Sequence, residues 1–241
     1  MVEGDSPRQL SKVRTVSNLT EQVHDLLMGA ILDGSLEPGR LYSVQALSGE
    51  LGVSRTPVRE AMLQLARRGI VEMVPSQGVR IVQRSLDDLK DIFEIRLWVE
   101  VPAVRAAVPK MDEADVARLQ ASYSRMRECA LNGDTRGLEN EDRVLHAVIL
   151  ECSGNLRVAM MIDELRDFVV TQGKTTTGRS RTPLEIVEAH RPIVEAIERG
   201  DAEAAAEAMD RHLRSSADVV LSQFASDNGD GASSADRPGL S

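Results

Sequence analysis

Asp142 and His146 stand four residues apart in an apolar pattern, Leu138, Asp142, Leu145, His146, Ile149, so a helix here stacks carboxylate and imidazole on one inward face. His190 interrupts a second such stripe, Ile186, His190, Ile193, Val194, Ile197, and His212 ends a third, Ala205, Ala208, Met209, His212. Three of the chain's four histidines therefore occupy positions where apolar side chains belong. Buried polar groups must find partners, and the economical solution is that these find each other around an ion. Three imidazoles and a carboxylate suit a first-row divalent metal, zinc, nickel or manganese, with room for water or a ligand oxygen. His24, on a different helix without polar companions, reads as an ordinary structural histidine.

Arg96 lies four residues after Ile92 on another inward stripe. A buried guanidinium needs an anion, and its planar fork fits a carboxylate. Either Glu100, one helical turn on, neutralises Arg96, or Arg96 awaits the carboxylate of a ligand beside the metal.

A second constellation lies near the front of the chain. Gly52 to Ala66 reads as an amphipathic helix in which Ser54 can cap the start and Pro57 occupies the first turn. Val58, Ala61, Met62, Leu65 and Ala66 form its packing stripe, and Arg55 and Arg59 project from the stripe's edge. An arginine at the N-terminal end of such a helix can take guanine O6 and N7 in a bidentate bond, worth about 1–3 kcal/mol of discrimination.

The elements that must position these groups fall into two sets. In front, Asn18 with Glu21 makes a capping-box pattern for a first helix running to Gly34, and Leu36 to Gly39 turns the chain. A short helix from Ser43 to Leu51 then precedes the Ser54 helix. Val71 and Met73 alternate, Pro75 to Gly78 turn, and Val79 and Ile81 alternate again, which predicts a β-hairpin. Together these spell a winged helix-turn-helix. From Ser85 onward helix signals follow one another. Ser85 with Asp88 caps a helix that Pro102 is expected to break or kink before it continues to about Val108. Further helices are expected at 112–131, 135–152, 155–172, 183–199 and 202–225. The fold class is thus mainly α: an N-terminal winged helix-turn-helix followed by an antiparallel all-α bundle of six or seven helices. The expected boundaries are a mobile segment 1–16, a winged helix-turn-helix DNA-binding domain 17–84, a helical metal-binding domain 85–225, to which the family resemblance given below adds effector binding and dimerisation, and a disordered tail 226–241.

The net charge of −9 looks wrong for a nucleic-acid binder until the chain is divided. Residues 1–84 carry 10 basic and 9 acidic side chains, residues 85–241 carry 19 and 29, and Arg55 to Arg84 alone carries six basic against two acidic. Cys129 and Cys152 match no metal or redox spacing, which suits a reducing cytoplasm. No cationic-then-apolar leader and no apolar run of about 20 residues is present, so a soluble cytoplasmic protein is expected, away from membranes.

Residues 19 to 82 resemble the DNA-binding domain of the GntR family of bacterial transcription regulators. The matching stations are Ala30-Ile31, Gly34, Leu36, Pro38-Gly39, Leu47, the run Leu51 to Ala61, Leu65-Ala66, Gly69 and Gly78. The resemblance implies DNA contact by Ser54, Arg55, Thr56 and Arg59, and a wing whose Gly78 approaches the minor groove. Gln45 and Ser76-Gln77 fall where family members often carry an arginine on the second helix and at the wing tip, which implies fewer phosphate contacts and a shallower salt dependence. Residues 86 to 222 resemble the FCD effector domain of the FadR-like branch. That likeness rests on Asp91 to Arg96 with Glu100, Asp142 to His146, Ser153-Gly154-Asn155, Glu188 to His190, and Met209 with His212-Leu213. It implies a metal held by Asp142, His146, His190 and His212 and a small organic acid held beside it, with Arg96 available for the acid's carboxylate.

The expected function is that of a ligand-responsive transcriptional regulator, a repressor of a metabolic operon, binding a pseudo-palindromic operator in double-stranded DNA as a homodimer. One rival is a metal-dependent hydrolase in which three histidines and an aspartate activate water, although no further motif-placed base or nucleophile accompanies them. Another keeps DNA binding but makes the metal purely structural. A long-chain acyl thioester effector, used by some relatives, fits the intact ligand set less well than a small polar acid.

Overall fold

The computed structural model describes residues 17–172 and 181–231. The expected N-terminal segment, residues 173–180 of the expected loop before the 183–199 helix, and residues 232–241 of the expected tail lie outside the described residues. Contacts divide the chain into two units, one ending at Ile81 and one beginning at Val82.

The first unit is built from α1 (Ser17–Leu32), β1 (Leu41–Tyr42), α2 (Val44–Glu50), α3 (Arg55–Arg67), β2 (Val71–Val74) and β3 (Gly78–Ile81). Its core joins Val23, Leu27 and Ile31 of α1 to Leu47 of α2, Val58, Met62 and Leu65 of α3, and Val79 and Ile81 of β3. The i, i+3, i+4, i+7 spacing in the α3 sequence is what delivers those residues to one side, and each fully buried aliphatic contributes roughly 1.5–3 kcal/mol. Ser43 caps α2 by accepting from the backbone N–H groups of Gln45 and Ala46. Ser54 occupies the corresponding position before α3, but its side chain makes no capping hydrogen bond, leaving the hydroxyl for other work.

The expected hairpin forms with Val71 opposite Ile81 and Val74 opposite Gly78. A strand not foreseen, β1, pairs with the other side of β3, so the antiparallel sheet runs β1-β3-β2. Gly78 has φ +133°, and a Cβ built there would lie 2.1 Å from the Tyr42 carbonyl oxygen. This close approach of β1 demands glycine whether or not DNA is present.

The second unit comprises α4 (Leu86–Ala107), a 3₁₀ turn (Val108–Lys110), α5 (Glu113–Asn132), α6 (Thr135–Cys152), α7 (Leu156–Val170), α8 (Pro183–Glu198) and α9 (Ala202–Gly231). Capping boxes start three of them: Ser85 with Asp88, Asp112 with Asp115 and Thr182 with Glu185, each cap worth about 1 kcal/mol. Pro102 does not break α4, which runs unbroken to Ala107. Pro102 sits on an exposed face with Trp98, where water can satisfy the carbonyl that loses its partner. Helix α9 continues past Ala225, so the tail expected from Ser226 begins as helix. The bundle core joins Leu119 and Met126 of α5, Leu138, Leu145 and Ile149 of α6, Ile186, Ile193 and Ile197 of α8, and Ala205, Met209 and Leu213 of α9.

Candidate metal centre and nucleic-acid interface

Three helices of the bundle deliver one histidine each to a common point. His146 comes from α6, His190 from α8 and His212 from α9, and all three are buried. Their ring centroids lie 5.5 Å (His146 to His190), 5.3 Å (His146 to His212) and 4.2 Å (His190 to His212) apart. Each offers one nitrogen to a group whose members all lie within 4.8 Å of one another, the spacing needed to hold one ion. His146 Nε2, His190 Nε2 and His212 Nδ1 are buried without a hydrogen-bond partner. Buried polar atoms are rarely left so, and three unpartnered ring nitrogens in one cluster are a group that could hold an ion.

Two of the outer nitrogens are fixed. His146 Nδ1 lies 2.7 Å from Glu100 Oε2, and His190 Nδ1 donates to the Ile186 carbonyl at 2.8 Å. These contacts orient the rings and leave the opposite nitrogens for a ligand. Burial, reinforced by the neighbouring His146, brings the His190 pKa down to about 3, and burial with His190 nearby holds His212 well below its ordinary value. Both therefore present neutral imidazoles, the form that binds a metal.

Asp142 stands beside the cluster, with Oδ1 2.8 Å from His190 Nε2 but out of line for a hydrogen bond. Its other oxygen is taken by Arg166 of α7. Arg166 was not singled out from the sequence. The available signal was an arginine four after Ile162 and three before Val169, on the buried side of α7. Burial, with Arg96 close by, lowers its pKa to about 9.

Of the two expectations for Arg96, the structure realises the internal partner: Arg96 Nε lies 2.6 Å from Glu100 Oε1. Glu100 is wholly buried and thus joins Arg96 to His146. Burial would raise its pKa, but Arg96 and His146 outweigh that and keep the carboxyl well below the usual range. Sequence spacing gave Glu100 only as a counter-ion. Its hold on His146 joins residues 46 positions apart, which no local pattern can reveal. His24 lies on α1 beside Asp25, apart from the cluster.

In the first unit, Pro57, Val58, Ala61, Met62 and Leu65 anchor α3, while Ser54, Arg55, Thr56 and Arg59 are exposed at its N-terminal half. Gln45 on α2 and Gln77 in the β2–β3 turn are also exposed. Uncharged amides at those two places can hydrogen-bond phosphates or base edges without adding positive charge.

Residues 19–81 match the family model of bacterial regulatory proteins, gntR family, and residues 91–215 match that of the FCD domain. The chain is 31% identical over 204 residues to a probable D-xylose utilization operon transcriptional repressor of Paenarthrobacter nicotinovorans, spanning 84% of this chain and 89% of that one. It is 27% identical to the HTH-type transcriptional regulator LutR of Bacillus subtilis, spanning 80% and 97% of the two chains. The solved structure of E. coli McbR/YncC superposes with a TM-score of 0.73 at 24% identity, covering 87% of this chain and all of that one, a likeness of fold.

Proposed function

This chain belongs to the gntR family of bacterial regulatory proteins and carries an FCD domain, which makes it a DNA-binding transcriptional regulator and not an enzyme, and from that premise we propose a metal-assisted repressor of a metabolic operon. In this reading His146, His190 and His212, with Asp142 completing the set, hold a divalent ion of the zinc, nickel or manganese kind. The observation that carries it is the trio of buried, unpartnered imidazole nitrogens within 4.8 Å of each other. A bound divalent ion supplies positive charge and open coordination positions for an oxygen ligand.

Electrostatics favours a small organic acid as effector. Arg96 pairs with Glu100 and Arg166 with Asp142, so these two ion pairs beside the histidines carry no net charge to meet that of an ion. A divalent cation added to them leaves excess positive charge in a buried place, and a carboxylate ligand offsets it. Arg96, with five N–H donors and only its Nε committed to Glu100 by hydrogen bond, is the residue assigned to that carboxylate. The regulator acts in the cytoplasm as a homodimer, two α3 helices reading the half-sites of a pseudo-palindromic operator through Ser54, Arg55, Thr56 and Arg59, with Gln45, Gln77 and Gly78 alongside. Effector control requires unequal binding to two arrangements of the protein, and about 1–3 kcal/mol of coupling gives 5–150-fold regulation.

The test is a gel shift on an operator obtained by in vitro selection, with a panel of small organic acids, before and after metal removal by EDTA. One acid should shift operator affinity only in the metal-loaded protein. An acid response that survives EDTA and the His190→Ala change would contradict the reading, as would turnover of any acid by the metal-loaded protein.

A further inference from the structure

Helix α7 is tied at two places to elements with different tasks. Towards α6, the helix that carries Asp142 and His146, Arg166 holds Asp142, while Asp163 and Asp167 both bind Arg143 at 2.6 Å. At its C-terminal end, the turn after α7 is fixed by backbone bonds from Thr171 to Asp167 and from Gln172 to Val169. There the buried Gln172 side chain grips the segment that follows β3. Its Oε1 accepts from the Arg84 backbone N–H at 2.8 Å and its Nε2 donates to the Val82 carbonyl at 3.1 Å. One turn back, the Phe168 ring lies under the Arg84 guanidinium at 4.3 Å.

A carbonyl and an N–H two residues apart face the same side of an extended chain, and a primary amide, with a donor NH2 group and an acceptor oxygen, satisfies both at once. No other side chain of this size does so: a carboxylate lacks the donor and a leucine lacks both. We propose that Gln172 is a positioning residue that transmits the state of the histidine cluster, through α7, to residues 82–84, the stretch joining the winged unit to α4. The inference rests on the metal reading above. When Asp142 turns to a bound ion, Arg166 loses its partner and α7 resettles against α6. The Gln172 amide, in the turn that closes that helix, carries the movement to Val82 and Arg84.

The experiment uses full-length protein stripped with EDTA and then loaded with Zn²⁺ alone, following backbone hydrogen exchange at Arg84 while calorimetry gives the Zn²⁺ affinity. In the wild type, Zn²⁺ should change Arg84 exchange about two- to tenfold, the range that one hydrogen bond's net worth sets on a local opening equilibrium. In Gln172→Leu, exchange at Arg84 should be faster and indifferent to Zn²⁺, with Zn²⁺ affinity unchanged. Gln172→Glu, which keeps the acceptor for Arg84 but cannot donate to Val82, should retain protection at Arg84 and show a weakened response, and it serves if the leucine variant does not fold. An Arg84 amide unmoved by Zn²⁺ in a wild type that binds the ion overturns the coupling but leaves the metal site standing. A full response in both variants overturns it too, and a wild type that binds no Zn²⁺ overturns both.

Discussion

Glu100 reaches His146 Nδ1 at 2.7 Å while its other oxygen holds Arg96 at 2.6 Å. A carboxylate behind a metal-binding imidazole fixes the ring's tautomer and raises its basicity, and removing such a partner typically costs about 10–100-fold in metal affinity. Glu100→Gln keeps the volume but removes the charge, so competition titration with a zinc chelator should show a loss of that size. Because Arg96 is then left buried without its counter-ion, the variant should also be less stable, by up to roughly 3–5 kcal/mol. Unchanged zinc affinity would mean that Glu100 serves Arg96 alone.

The metal-free protein should weaken as the solution is acidified. His190 is held down to about 3 and His212 well below its ordinary value, so between those values and 6.5 protons bind these residues only in the unfolded chain. Stability from the two neutral rings is therefore present above 6.5 and lost as pH falls, by about 2 kcal/mol at pH 5 for His190, with His212 acting in the same direction. Urea unfolding of EDTA-treated protein at pH 7 and pH 5 measures this. His190→Gln should flatten the dependence, and a stability that rises on acidification would refute the assignment.

Arg55 and Arg59 lie exposed near the start of α3. Replacing either by alanine should cost about 1–3 kcal/mol of operator binding, together with relaxed preference at one base position if the contact is to a base edge. Gln45→Ala should leave the salt dependence unaltered, because an uncharged side chain releases no counterion. Anisotropy titrations at several salt concentrations separate these outcomes, and operator affinity indifferent to both arginine changes would remove α3 from the interface.

Gly78→Ala places a methyl group 2.1 Å from the Tyr42 carbonyl oxygen, with φ at +133°. Neither obstacle is a flexible side chain, so β1 must part from β3 or the turn must distort, at a cost above about 1 kcal/mol. Operator binding should fall while calorimetric zinc binding stays intact. Equal loss of both would show that the glycine supports the whole chain and not the wing.

The periodic parts of this molecule were legible before any coordinates. Val58 to Leu65 and the stripes through His146, His190 and His212 announce their faces by spacing, and Ser85 stands at its helix start with Asp88 in place, whereas Asn18, paired with Glu21 by the same pattern, lies inside α1. Leu41 and Tyr42 form a strand too short to carry an alternating pattern, so β1 emerges only once β3 is there to pair with it. Pro102 leaves α4 continuous to the expected end near Val108, and whether a proline breaks a helix depends on which side it faces, which spacing alone does not settle. Arg166, Gln172 and the second role of Glu100 are long-range relationships, set by how α4, α6 and α7 meet, and no single segment encodes them.

The most direct measurement is an anomalous-difference map, collected at the zinc edge from crystals of the full-length protein grown with Zn²⁺. One peak per chain should appear bonded to His146 Nε2, His190 Nε2 and His212 Nδ1, and it should vanish in crystals of His190→Ala. A map with no peak among these three rings, or with zinc held only by surface carboxylates, would contradict the metal centre and the sensing role built on it.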